Sequence, residues 1–177
     1  MERGFRILCL DEMCVTKSTI QKREWSAKNN TMEIDQAKFS DSCVAALVSV
    51  SVEMGVDKIM LFDHSVNKDK FRVYLQELRD KWPFDDIAIY MDNLPVHRNK
   101  EIKARMDELG FEFIYSPAYS PDFNGIESVF SLVKAQIKRR RWVAIRNGAP
   151  FDIKKEILLA FRNVDEVKIA ACIRHSF

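Results

Sequence analysis

Apolar and polar positions along this chain fall into runs and periodic sets that predict most of its secondary structure. Residues 5 to 10 (FRILCL) predict a short buried strand, and the polar stretch after it, MCVTKSTIQKREWSAKNN, carries strand and turn pieces, with Trp25 packed over the sheet. VAALVSVSV at 44 to 52 and DKIMLF at 57 to 62 flank a turn at Glu53 to Gly55, which predicts a hairpin. From Asn67 the period lengthens: Phe71, Tyr74, Leu75 and Leu78 follow i, i+3, i+4, i+7 spacing behind a capping Asn, predicting an amphipathic helix that ends near Trp82-Pro83. Residues 86 to 91 read as a strand. Ile102, Met106 and Leu109 mark a helix stopped by Gly110 at the C′ position, and FEFIY at 111 to 115 is the next strand. Ile126, Val129, Phe130, Val133 and Ile137 line one side of a long helix running to about Arg141, a loop is expected near 145 to 151, and helical stretches near 152 to 162 and 165 to 173 close the chain.

Strands first, then helix and strand in alternation, predict an α/β fold in which a mixed sheet is flanked by helices on both faces, the order of a ribonuclease-H-like domain. In such a sheet the strands leading to Asp11 and Asp92 lie side by side, about 4.8 Å apart, with both C-terminal ends at one rim. At 177 residues and 47% apolar content the chain suits a single domain, residues 1 to 177, with a core burying roughly 70% of the unfolded surface.

Charge refines the picture only locally. The net charge of +2 does not by itself announce nucleic acid, but no Asp or Glu occurs between Ser128 and Phe151, where Lys134, Lys138, Arg139, Arg140, Arg141 and Arg146 do. The tract at 138 to 141 suits phosphate contacts, or equally a solvated helix end favoured by the helix dipole. Cys9, Cys14, Cys43 and Cys172 form no CxxC pair and read as reduced core residues. No run approaches the roughly 20 apolar residues of a membrane span, and ILCL is too short for a signal peptide, so an intracellular protein is expected, nuclear in a eukaryote, cytoplasmic or nucleoid-associated in a bacterium.

The chemistry concentrates in three acids. Asp11 closes FRILCLD, Asp92 closes IAIYMD, and Glu127 stands in YSPDFNGIESVF, with 34 residues between the last two. A carboxylate at the end of an apolar run sits at a strand's rim, where it can face water or a metal. Carboxylate oxygens are hard ligands suited to Mg²⁺ or Mn²⁺, and two such ions together serve phosphodiester cleavage. Each acid also has an ordinary reading. Glu12 rivals Asp11 on the opposite strand phase, Asp92 before Asn93 suits a turn, and Glu127, three residues past Asn124, suits the N3 acid of a capping box. Met13 stands where a phosphatase-type second Asp would be. His97 has no Ser or Cys partner and reads as a structural hydrogen-bonding group, Asp122 as a turn residue before the long helix, and the three His and four Cys lack zinc spacing.

MDNLPVHR (91 to 98) and SPAYSPDFNGIESVFSLVK (116 to 134) resemble the second and third catalytic blocks of Tc/mariner-type transposases of the DDE superfamily, and LDEMCVTKSTIQKREWSAKNN (10 to 30) resembles the first. The similarity runs from about residue 6 to the closing CIRHSF. By position, the resemblance makes Asp11, Asp92 and Glu127 the metal-binding catalytic carboxylates, with Asn93, His97, Asp122 and Asn124 as structural neighbours and Lys134, Lys138, Arg139, Arg140 and Arg141 as DNA contacts. It implies two Mg²⁺ ions, with Mn²⁺ as substitute, cleavage at element ends, joining of 3′-OH ends to target DNA, and a homodimer assembled on DNA. Family members carry helix-turn-helix modules ahead of this domain and nothing before Glu2 supplies one, so the chain is expected to be either a fragment or a truncated or split copy that depends on another polypeptide, such as a separate DNA-binding module. Family members commonly have Pro where Gly125 stands, which predicts looser presentation of Glu127. Two other functions share the fold: a domesticated DNA- or partner-binding domain that does not cut, and a ribonuclease-H-type or junction-resolving nuclease.

Overall fold

The computed structural model describes residues 4–16, 43–92, 99–117 and 123–176. Trp25, Asn93, His97 and Asp122 lie outside them. The described elements run β1 (Arg6–Val15), β2 (Val44–Ser51), β3 (Gly55–Asp63), α1 (Lys68–Lys81), β4 (Ile87–Met91), α2 (Lys100–Glu108), β5 (Phe111–Tyr115), α3 (Gly125–Arg146), α4 (Ile153–Arg162) and α5 (Glu166–His175). The strands form one sheet ordered β3-β2-β1-β4-β5. β3, β2 and β1 pair antiparallel, whereas β1, β4 and β5 pair parallel.

Both faces of this sheet are covered, as expected of a parallel crossover sheet. On one face Leu8, Leu10, Ile87 and Ile89 meet Phe71, Leu75 and Leu78 of α1 and Ile102 and Met106 of α2. The buried Tyr74 joins them, its hydroxyl donating to Ser49 Oγ at 2.8 Å. On the other face Cys9, Met13, Val48 and Tyr90 meet Val129, Phe130 and Val133 of α3, with Phe161 of α4 and Ile173 of α5 behind them. Burial pushes the Cys9 thiol up to about 12, so it serves as a small apolar filler.

Local signals account for most boundaries. Asn67 caps α1 by accepting from the Lys70 N–H at 3.0 Å, and Gly110, at φ +66°, takes the left-handed position after α2 that side chains resist. Three expectations need correction. β1 does not end at Asp11; its ladder with β2 continues to Val15 opposite Val44. α3 runs to Arg146, past Arg141, and stops at Asn147 and Gly148, the latter at φ +60°. Cys14 and Cys43 are disulfide-bonded, with Cα atoms 6.7 Å apart; β1 and β2 are adjacent, and their paired ends bring these two residues within bridging reach. Cys9 and Cys172 are free thiols. Among the described residues no helix is long and apolar enough to cross a membrane.

Candidate metal centre

Asp11 owes its position to an asymmetry between its two neighbouring strands. On the β2 side it is mid-ladder, opposite Val48, while on the other side the pairing with β4 stops at Leu10 opposite Met91. It therefore occupies the rim of the parallel half without ending its own strand. Strand alternation gives it the phase of Cys9 and Met13, which face α3, so the two neighbouring acids separate cleanly. Glu12 goes to the opposite face, where its Oε1 accepts from the Val66 N–H at 3.2 Å and ties down the approach to α1.

Asp11 is only 6% exposed, and a carboxylate so enclosed needs hydrogen bonds to replace water. Its Oδ1 accepts from the Glu12 backbone N–H at 2.7 Å, and its Oδ2 accepts from Asn124 Nδ2 at 2.8 Å, a contact spanning 113 residues of sequence. Asp92 follows Met91 directly and Asp11 follows Leu10, so each acid comes one residue after the last pair of the β1–β4 register. Alternation from Tyr90 aims it at the same face. Asp92 is half-buried, and the Ser116 N–H donates to the Met91 carbonyl at 2.9 Å, so β5 secures the last residue before it.

Glu127 lies in the first turn of α3 and is exposed. The capping box expected there does not form: Asn124, the N-cap residue, makes no side-chain cap bond, and only its carbonyl accepts from the Glu127 N–H, at 3.0 Å. Its amide is spent on Asp11, and that contact is what ties the start of α3 to the rim holding Asp11 and Asp92. Gly125 is likewise not a loose joint. A Cβ there would come within 2.8 Å of the Cys172 carbonyl oxygen and of Ile173 Cα, and 2.9 Å of Ser176 Oγ, so the absent side chain is what lets the last turn of α5 close against α3.

All three acids thus belong to elements that meet at one end of the sheet. Among the described residues, however, no three His, Cys, Asp or Glu side chains are gathered closely enough to hold a metal ion. The donor chemistry fits a hard divalent cation nonetheless: the groups are carboxylates, and Oδ1 of Asn124, which bonds Asp11, is a buried acceptor with no hydrogen-bond partner among the described residues.

The basic tract divides by direction. Glu127, Ser131, Lys134 and Lys138 recur at i, i+4, i+7 and i+11, one stripe along α3, which extends positive charge away from the acidic end. Arg139 is exposed. Arg140 instead pairs with Glu156 at 3.2 Å, and Arg141 is 6% exposed with its guanidinium 5.6 Å from the Phe151 ring centroid. Helical alternation within the tract therefore commits two of its cations to packing α3 against α4 and the segment that leads into it.

Residues 6–147 match the protein family described as DDE superfamily endonuclease. This chain belongs to that family. The match takes in every described strand, both helices of one layer and all of α3, so the sheet rim described above lies within it. Comparison with curated protein sequences gives no match. Among solved structures, the fold is similar to a Mos1 transposase paired-end complex with left transposon end (TM-score 0.70, 19% identity, covering 96% of this chain and 51% of that one). It is similar also to a Mos1 mariner paired-end complex with Mn (TM-score 0.65, 20% identity, 96% and 52% covered) and to the catalytic domain of Mos1 mariner transposase (TM-score 0.61, 16% identity, 96% and 76% covered). The ribonuclease-H-like arrangement is shared throughout. This DDE-family chain spans about half the length of the paired-end transposase chains it matches.

Proposed function

We propose that this DDE-family domain is a metal-dependent DNA endonuclease and strand transferase of cut-and-paste transposition, with Asp11, Asp92 and Glu127 as its metal-holding carboxylates. The observation that supports this reading is the β1–β4 register, whose last pair, Leu10 opposite Met91, immediately precedes Asp11 and Asp92 at the rim where α3 begins. The three acids would hold two Mg²⁺ ions, with Mn²⁺ as substitute; bound there, such ions lower the pKa of a water and stabilise a leaving oxygen in an in-line displacement. The chain's own contribution is orientation. Asp11 is immobilised by two hydrogen bonds, Asp92 follows a strand held on both sides, and Glu127 rides a helix anchored at its first turn. Lys134, Lys138 and Arg139 would neutralise phosphates of a strand leaving the site along α3. The solved Mos1 complexes contain transposon ends, and one contains Mn; by analogy the substrates are element ends and target DNA.

The described elements form one sheet and its helices, which supports reading them as one catalytic domain. The working assembly is a homodimer on DNA, in the compartment that holds the genome.

The test is Mn²⁺ binding and metal-dependent nicking of supercoiled plasmid by the purified protein, beside Asp11→Asn and Asp92→Ala. Both variants should keep the fold and lose binding and nicking. Nicking retained by Asp92→Ala sinks the assignment, and an absence of Asp11-dependent Mn²⁺ binding leaves the non-cutting DNA- or partner-binding domain as the better reading. Comparing hybrid, branched and element-end substrates separates transposition chemistry from a ribonuclease-H or resolvase activity.

A further inference from the structure

We propose that Asn124 is a positioning residue of the metal centre: its side-chain amide serves Asp11, not the helix it begins, and sets the separation between β1 and the first turn of α3. The proposal rests on the metal-dependent reading above and deepens it.

Asn is a favoured N-cap residue because its side-chain oxygen satisfies an orphan N–H of the first turn. Asn67 and Asn99 do so here, accepting from Lys70 N and Glu101 N. Asn124 occupies the same position in α3 and forgoes that bond. Its side chain turns to the sheet, where Nδ2 donates to Asp11 Oδ2 at 2.8 Å, with both residues at 6% exposure or less. A local cap exchanged for a contact 113 residues away is a choice the helix itself does not need.

Two further observations place this contact at the proposed site. Asn124 Oδ1 is buried and has no hydrogen-bond partner among the described residues, and native proteins seldom leave such an acceptor unfilled without a functional reason. It lies on the residue that already holds the first acid. Gly125 pins the next position, since the Cys172 carbonyl and Ile173 Cα leave no room for a Cβ. Asn124 is thus held from both sides, by Asp11 and by the last turn of α5. A carboxylate oxygen offers two lone pairs, so a single amide bond orients Asp11 Oδ2 without exhausting its capacity as a ligand.

The decisive variant is Asn124→Ser. Serine is as good a cap as asparagine, but its hydroxyl is too short to reach Asp11 from the same backbone position. Mn²⁺ affinity would be read by electron paramagnetic resonance, and Tm in metal-free buffer by calorimetry, for the parent, Asn124→Ser, Asn124→Ala and Asp11→Asn. Loss of a hydrogen-bond partner behind a metal ligand weakens affinity by roughly 10–100-fold. The expected result is that Asn124→Ser keeps or raises Tm while its Mn²⁺ affinity falls by about that factor, and that Asn124→Ala loses the same affinity without the gain in Tm. Parent-like affinity in Asn124→Ser, with binding abolished in Asp11→Asn, overturns the positioning role and leaves the metal centre standing. Tm and affinity that fall together in both Asn124 variants make the residue structural and also overturn it. A parent protein with no Asp11-dependent Mn²⁺ binding removes the metal reading, and this proposal with it.

Discussion

Gly125 in the first turn of α3 lies against Ile173 of α5 so closely that a Cβ on the glycine would stand 2.8 Å from the Ile173 Cα. The neighbour there is backbone, which cannot rotate away as a flexible side chain could. Gly125→Ala should therefore destabilise the protein by about 1–3 kcal/mol, the usual cost of overpacking. The proline common at this position in relatives should do at least as much harm here, although proline suits the first turn of a helix. Urea unfolding of both variants checks this; a stabilised Gly125→Pro would mean that α5 gives way easily.

Glu12 and Asp11 are separated by strand phase, and only Asp11 faces α3. Glu12→Gln should leave Mn²⁺ affinity at the parent value and cost about 0.5–1.5 kcal/mol through a weakened bond from the Val66 N–H. Parallel Mn²⁺ titration and thermal unfolding distinguish the two acids; a large loss of Mn²⁺ affinity in Glu12→Gln would reverse their roles.

The cations of α3 should separate in the same way. Lys134→Ala and Lys138→Ala together should reduce the slope of log affinity against log salt for duplex DNA by about 1.5–2, nearly one unit per lost phosphate contact. Arg140 and Arg141 are held by Glu156 and Phe151, so their alanine variants should leave that slope unchanged. Each should instead lose stability, by about 0.5–3 kcal/mol. Fluorescence anisotropy across a salt series, with melting curves, reads both effects.

Asp57 supplies a pH dependence remote from the candidate site. It is 4% exposed on β3, and neither carboxylate oxygen finds a hydrogen bond of good geometry. Burial pushes its carboxyl above the ordinary 3.8, and Ser51, Lys81 and Arg6 pull it only part of the way back. The folded protein then binds the proton more tightly than the unfolded chain does. Asp57 therefore costs nothing below the unfolded value and becomes destabilising as pH rises through its folded value. Asp57→Asn should raise Tm at pH 7, and the advantage should vanish near pH 3. A pH-independent difference between the two melting series would discard this account.

How far the sequence could be read depended on the range of the interactions involved. The hairpin of β2 and β3, the Asn67 cap, the Gly110 stop and FEFIY all rest on neighbours a few residues away, and each stands where periodicity and turn chemistry put it. The parallel pairing of β1 with β4 followed from general rules for crossover sheets. What escaped was set by distant contacts. β1 outlasts its apolar run because β2 offers it partners through Val15, and the Cys14–Cys43 bond follows from that same pairing. Arg140 and Arg141 read equally as phosphate contacts or as a solvated helix end, and their packing against Glu156 and Phe151 was not legible. Gly125 looks permissive until α5 arrives. At the candidate site the acids were legible as residues that follow apolar runs or begin a helix, and Asn124 as a structural neighbour, whereas the bond from its amide to Asp11 was not.

The long loop closed by the Asp11–Asn124 bond has a bearing on biosynthesis. Asp11 emerges from the ribosome more than a hundred residues ahead of its amide partner, and pairings that close so much chain form late, after local hairpins and helices. A nascent or truncated polypeptide that stops short of α3 carries the first acid without the Asn124 amide. On this arrangement the rim around Asp11 takes its final form only once α3 has been made and docked.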